Sequence, residues 1–261
     1  MSDLAFFDCN CYIGKTAKPA PLAFSSAEAL LEDMDYYRIE QAVVTHAAAR
    51  DYAPAVGNAA VLTELAGHER LLPCWVVPAH ADPLGRPAAE VVAEMLARGV
   101  RVARMFPPSP APYSLDAWAR SDYFAALEAH RIPLLLTRSD LARHPDDMTQ
   151  GFSADNIYVL CKAFPHLPII IVRFNYTYTR IAFALLRECP NLYLELSYFT
   201  IHRGVELFTR SFGAERLIFG TGTPVNNPGT ALMLVRYANI SDEERRLIAG
   251  DNLRRLLSEV R

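Results

Sequence analysis

Apolar residues in this chain come in short unbroken clusters rather than in alternation with polar ones. Runs rich in Val, Ile, Leu and Phe occupy residues 5–7, 41–45, 71–77, 100–106, 132–137, 169–174, 192–197 and 216–220. Each run predicts a strand, and continuous apolar character is expected of parallel strands covered on both faces. The segments between them carry helix-end signals. Ser25 with Glu28 and Ser241 with Glu244 form capping boxes, Pro87 suits a first helical turn, and Gly99 suits a C-terminal stop. Further helices are predicted over 115–130, 155–164, 179–189, 205–212 and 230–237. Strands alternating with helices eight times over this length predict an α/β fold, a single (β/α)8 TIM barrel. A doubly wound sheet is the competing architecture. It calls for a glycine-rich phosphate turn after an early strand, and the chain contains neither Gly-x-Gly-x-x-Gly nor a Walker-type loop.

Composition narrows the picture. At 261 residues, 51% of them hydrophobic, the chain can bury one large core, and no shift in composition marks a boundary, so 1–261 reads as one domain. A formal net charge of −3 argues against nucleic acid and against an anionic membrane surface as partners. No apolar run approaches about 18 residues, and the start MSDLAFF lacks a basic region leading into a long apolar stretch, so a soluble cytoplasmic protein is expected. Cys9, Cys11, Cys74, Cys161 and Cys189 are odd in number and scattered through apolar segments, as reduced buried thiols would be. Cys9 and Cys11 form only a Cys-x-Cys pair, short of the four ligands of structural zinc.

In a (β/α)8 barrel the chemistry sits at the C-terminal ends of the strands. Read in order, those ends offer Asn10 and Tyr12, His46, His80, Arg104 to Pro108, Thr137 with Arg138 and Asp140, Arg173 with Asn175, Ser197 with Tyr198, and Thr221 to Pro224. The predicted rim is polar and rich in arginine.

The segments FFDCNCYIG (6–14), GVRVARMFP (99–107), IPLLLT (132–137), FPHLPIIIVR (164–173), NLYLELS (191–197) and RLIFGTGTP (216–224) follow one another in a familiar order. With the tail from SDEE to GDNLRRLL, the chain resembles the amidohydrolase-related family of metal-dependent barrel hydrolases and decarboxylases, which includes aminocarboxymuconate semialdehyde decarboxylase. The resemblance implies metal ligands at the positions of Asn10, Tyr12, Thr137, Arg173 and Gly222, and none of these residues is His, Asp or Glu. Zinc-type sites need about three imidazole, thiolate or carboxylate donors with one position open, and a permanently charged guanidinium would repel a divalent cation.

Each notable side chain has a functional and a structural reading. Arg173 either clamps a carboxylate or phosphate, or fills vacated space and pairs with Asp8 or Asp140. Arg104 and Arg138 lean to the structural reading. Glu195, inside an apolar strand, is expected in an internal salt bridge. Cys9 lacks a neighbouring His that would make it a nucleophile. Tyr12, Tyr198 and His202 could supply acid–base groups, but aromatic residues at a barrel mouth more often wall the pocket. The leading expectation is a metal-free pseudoenzyme without cofactor. It would bind a small organic anion at the C-terminal barrel mouth through Asn10, Tyr12, His46, Arg104, Thr137, Arg173 and Tyr198, with no catalytic residue assigned, or retain only a structural role. The alternatives are an active hydrolase or decarboxylase with a non-standard metal set or metal-free acid–base chemistry, and an interaction subunit of a related barrel enzyme. Self-association into a homo-oligomer is compatible with all three.

Overall fold

The computed structural model describes residues 4–16, 26–78, 85–106, 122–137, 153–174 and 176–261. Eight strands lie in one parallel sheet in chain order: β1 Phe6–Ile13, β2 Ile39–His46, β3 Leu71–Val76, β4 Val102–Met105, β5 Leu134–Thr137, β6 Ile169–Val172, β7 Leu192–Glu195 and β8 Leu217–Ile218. The sheet closes on itself beyond β8. Cys9 N–H donates to Phe219 O at 3.1 Å, Gly222 N–H to Asn10 O at 2.9 Å, and Tyr12 N–H to Thr223 O at 3.0 Å. The result is the (β/α)8 barrel that the alternating pattern predicts.

Helices α1 Ala27–Tyr37, α2 Ala47–Asp51, α3 Pro54–Glu64, α4 Ala88–Ala97, α5 Asp122–Ala129, α6 Ala154–Ala163, α7 Thr179–Glu188, α8 Gly204–Phe212, α9 Pro228–Arg236, α10 Asp242–Arg246 and α11 Asn252–Ser258 surround it, with a π-helical turn Leu247–Asp251 joining the last two. The Ser241–Glu244 capping box forms as expected, with reciprocal bonds of 3.1 and 2.7 Å. At α1 the cap is Ser26, whose hydroxyl accepts from Ala29 N–H at 3.4 Å; Ser25 lies outside the described residues, as do 115–121 of the predicted 115–130 helix. Helices α2 and α3 were not anticipated by the apolar pattern.

Strand alternation divides the core in two. Leu134 and Leu136 face the helices, whereas Leu135 joins Phe7, Cys9, Val43, Cys74, Val102, Ile170, Val172 and Ile218 inside the barrel. Leu253, Leu256 and Leu257 of α11 pack against this inner group and seal its floor. The mouth is at the other end of the strands. No described helix is long and apolar enough to cross a membrane.

Candidate active site at the barrel mouth

Strand β1 is longer than its apolar run suggests. Phe6–Ile13 is buried throughout, so Asn10 and Tyr12 stand within the strand and not in a loop after it. The reason is pairing on both sides: Cys11, Tyr12 and Ile13 lie in register with Val44, Thr45 and His46 of β2, and the residues after β8 supply the other backbone partners.

Two buried carboxylates sit below the rim. Asp8 accepts from Asn10 N–H at 2.8 Å and Thr221 N–H at 3.0 Å through one oxygen, and from the Thr221 hydroxyl through the other. Glu195 accepts from Ser197 N–H at 2.7 Å through Oε1, and from Arg173 N–H at 3.0 Å and Ser197 Oγ–H at 2.8 Å through Oε2. Both repeat one local device, a carboxylate taking the N–H two residues on. Burial raises the pKa of each, and the hydrogen bonds from Thr221 and Asn10 to Asp8, and from Arg173 and Ser197 to Glu195, work against that rise. The Glu195 carboxylate needs the empty face of Gly220, where a Cβ would lie 2.3 Å from Oε1. Glu195 is therefore held by N–H and O–H donors instead of the salt bridge anticipated for it, and Asp8 is held by Thr221 and Asn10 and not by the side chain of Arg173.

Arg104, for which the structural reading was favoured, is fully buried at the centre. Its Nη2 donates to Asn10 Oδ1 at 2.7 Å and its Nη1 to the Tyr12 hydroxyl. The guanidinium carbon lies 4.8 Å from the centroid of the Tyr12 ring and 5.6 Å from that of Phe106. One sequence signal was available: Arg104 shares inward parity with Val102 on β4.

Around this centre stand the other rim residues. Thr137 ends β5, facing inward by alternation, and its hydroxyl is buried with no hydrogen-bond partner among the described residues. Arg173 follows β6 with φ of 64°, a left-handed conformation that costs about 1 kcal/mol or more. Its N–H on Glu195 holds it there, and its guanidinium carbon lies 5.2 Å from the centroid of the half-exposed Tyr198 ring. Gly222, with φ of 70°, donates to Asn10 O. Asn10, Thr137, Arg173 and Gly222 therefore gather at one end of the barrel.

His46 is engaged elsewhere. Its Nδ1 accepts from Ala48 N–H at 3.1 Å as the N-cap of α2, and its Nε2 lies 3.1 Å from Glu64 Oε1. His202 is exposed ahead of α8. Burial pushes the thiols of Cys9 and Cys11 well above their ordinary range, with Glu195 and Asp8 adding to the first and Asp8 to the second, which leaves neither suited to attack as a thiolate. His80, Arg138, Asp140 and Asn175 lie outside the described residues.

A parallel (β/α)8 barrel with polar side chains gathered at the C-terminal ends of its strands is the TIM-barrel architecture. Residues 15–258 match the amidohydrolase family model, and the chain belongs to that family. Among solved structures, a TIM-barrel protein of Bordetella bronchiseptica is similar at 22% identity and a TM-score of 0.74, covering 98% of this chain and 99% of its own. A dihydroxybenzoic acid decarboxylase from Polaromonas sp. JS666, solved with manganese and the inhibitor 2-nitroresorcinol, matches at 15% identity and a TM-score of 0.73 over 98% of this chain and 97% of its own. The 5-carboxyvanillate decarboxylase of Sphingomonas paucimobilis matches at 14% identity and 0.73 over 98% and 99%. At such identities the likeness is one of fold. No curated protein matches the chain significantly.

The residues at the ligand positions implied by the family do not fit a divalent ion. Asn10 and Tyr12 both face the guanidinium of Arg104. At position 222 a Cβ would lie 2.8 Å from Asn226 Nδ2 and 3.1 Å from Ser197 Cβ, on a backbone that disfavours any side chain, so an aspartate has no ready place there. Among the described residues no three His, Cys, Asp or Glu side chains come together in a way that could hold a metal.

Proposed function

We infer that this amidohydrolase-family barrel is a metal-free homologue that binds a small organic anion at its mouth. The observation that carries the reading is the charge of the rim. The positions matching the family's ligands hold Asn10, Tyr12, Thr137, Arg173 and Gly222, and the cations standing among them are the guanidiniums of Arg173 and Arg104. A guanidinium presents fixed charge and planar donors suited to carboxylate or phosphate. The decarboxylases of similar fold act on aromatic acids, which makes aromatic carboxylates the first class to screen, ahead of small dicarboxylates and sugar phosphates. Acid–base catalysis by Asp8 or Glu195 has less support, because the oxygens of both carboxylates already accept hydrogen bonds from fixed donors.

The test is a thermal-shift screen of those three classes. A ligand at ~100 times its dissociation constant stabilises the fold by about 2.7 kcal/mol, which in a domain of this size raises Tm by roughly 5 to 10 °C. At least one such shift is expected, and Arg173→Ala should abolish it while the far-UV spectrum stays unchanged. A shift that survives Arg173→Ala puts the site elsewhere, and a screen silent in all three classes overturns the reading.

A further inference from the structure

We propose that the barrel mouth is a cation site whose permanent occupant is the chain's own Arg104. The guanidinium is fully buried, yet among the described residues its hydrogen-bond partners are neutral and no carboxylate forms an ion pair with it. A buried charge in such surroundings is costly unless oriented dipoles compensate it. The hydrogen bonds around it form a chain that does this. Arg104 Nη2 donates to Asn10 Oδ1, Asn10 Nδ2 donates to Ser197 Oγ at 3.4 Å, and Ser197 Oγ–H donates to Glu195 Oε2 at 2.8 Å. The positive charge is thus joined to the buried Glu195 carboxylate through two neutral side chains. That chain also fixes the Asn10 amide, since its nitrogen faces Ser197 and its oxygen must face Arg104.

The faces of Tyr12 and Phe106 complete a cage. In-plane acceptors with aromatic faces recognise a planar organic cation, whereas manganese or magnesium wants oxygen ligands in near-octahedral array and zinc wants His, Cys or carboxylate. Both acceptors, Asn10 and Tyr12, are the side chains at the first-strand positions where the resemblance implies ligands. Arg104 thus supplies, tethered on β4, the positive charge that a metal would supply in the manganese-bound decarboxylase of similar fold. This inference concerns the resident cation and stands whether or not an anion binds above it.

Removing the Arg104 side chain should therefore create a site for free guanidinium. The experiment compares wild type and Arg104→Ala by thermal melting in low-millimolar methylguanidinium chloride, with sodium chloride at equal ionic strength, urea as the neutral planar analogue, and manganese and zinc chlorides. Arg104→Ala should melt below wild type. Methylguanidinium at about ten times its dissociation constant should return roughly 3 to 6 °C, saturably, to the variant and nothing to wild type. Sodium, urea and the two metals should return none. Should Arg104→Ala not fold alone, its refolding yield with methylguanidinium against urea reads the same selectivity, and Arg104→Met, which fills the space without charge, should melt below wild type and respond to neither. Equal rescue by urea, stoichiometric metal uptake by Arg104→Ala, or an Arg104→Met variant as stable as wild type would each overturn the proposal.

Discussion

The floor of the barrel and its mouth are filled from the same strands by opposite means. At the floor, Phe7, Leu135, Ile170 and Ile218 project inward and are sealed by Leu253, Leu256 and Leu257 of α11. Non-directional apolar contact holds them, so an apolar side chain of about the same volume would serve. At the mouth, the same inward parity brings up Arg104, Glu195 and Thr137. There the binding partners are individual atoms: Arg104 meets Asn10 across 94 positions of sequence, and Asp8 meets Thr221 across 213. Stability is spread over the floor, whereas specificity at the mouth depends on a few donors and acceptors, each of which leaves a costly orphan if removed.

The contrast can be broken most heavily at the floor. Leu135→Ala removes a fully buried inward side chain and should cost about 2 to 5 kcal/mol, seen as a fall in Tm of roughly 5 to 15 °C, while any response of the mouth to anions is kept. A variant that melts with wild type would mean that the floor is not where stability is held. A smaller effect sharpens the other side. Gly220→Ala should drive the Glu195 carboxylate off Ser197 and cost about 1 to 3 kcal/mol in denaturant unfolding. In a Glu195→Ala background the same change should cost almost nothing, because the clash has gone. Additive penalties in that double-mutant cycle would refute the account of Gly220 as the space for Glu195. The smallest effect belongs to His46. As the N-cap of α2 it should lose about 1 kcal/mol on His46→Ala, with any anion-induced shift unchanged; loss of that shift would show that His46 takes part in binding as well as capping.

Most of the scaffold could be read from the chain because its signals are local. Continuous apolar runs foretold parallel strands, and the Ser241–Glu244 box forms from residues three apart. Helices α2 and α3 escaped because the stretch from Ala47 to Glu64 is rich in small residues and offers little apolar contrast. The polar stretch of β1 read as a loop because the partners that keep it extended are non-local, in β2 on one side and beyond β8 on the other.

The same physics divides what sequence and tertiary structure decide at the site. Counting to the strand ends was enough to bring Asn10, Thr137, Arg173 and Gly222 to one rim, because parallel strands all end on one face. Counting could not say that Arg104 lies between Asn10 and Tyr12, that Glu195 rests on Gly220, or that His46 serves a helix end. A side chain's parity is set by its own strand, but its partner is set by the register and closure of the whole barrel, and for a buried charge the partner determines what the residue can do.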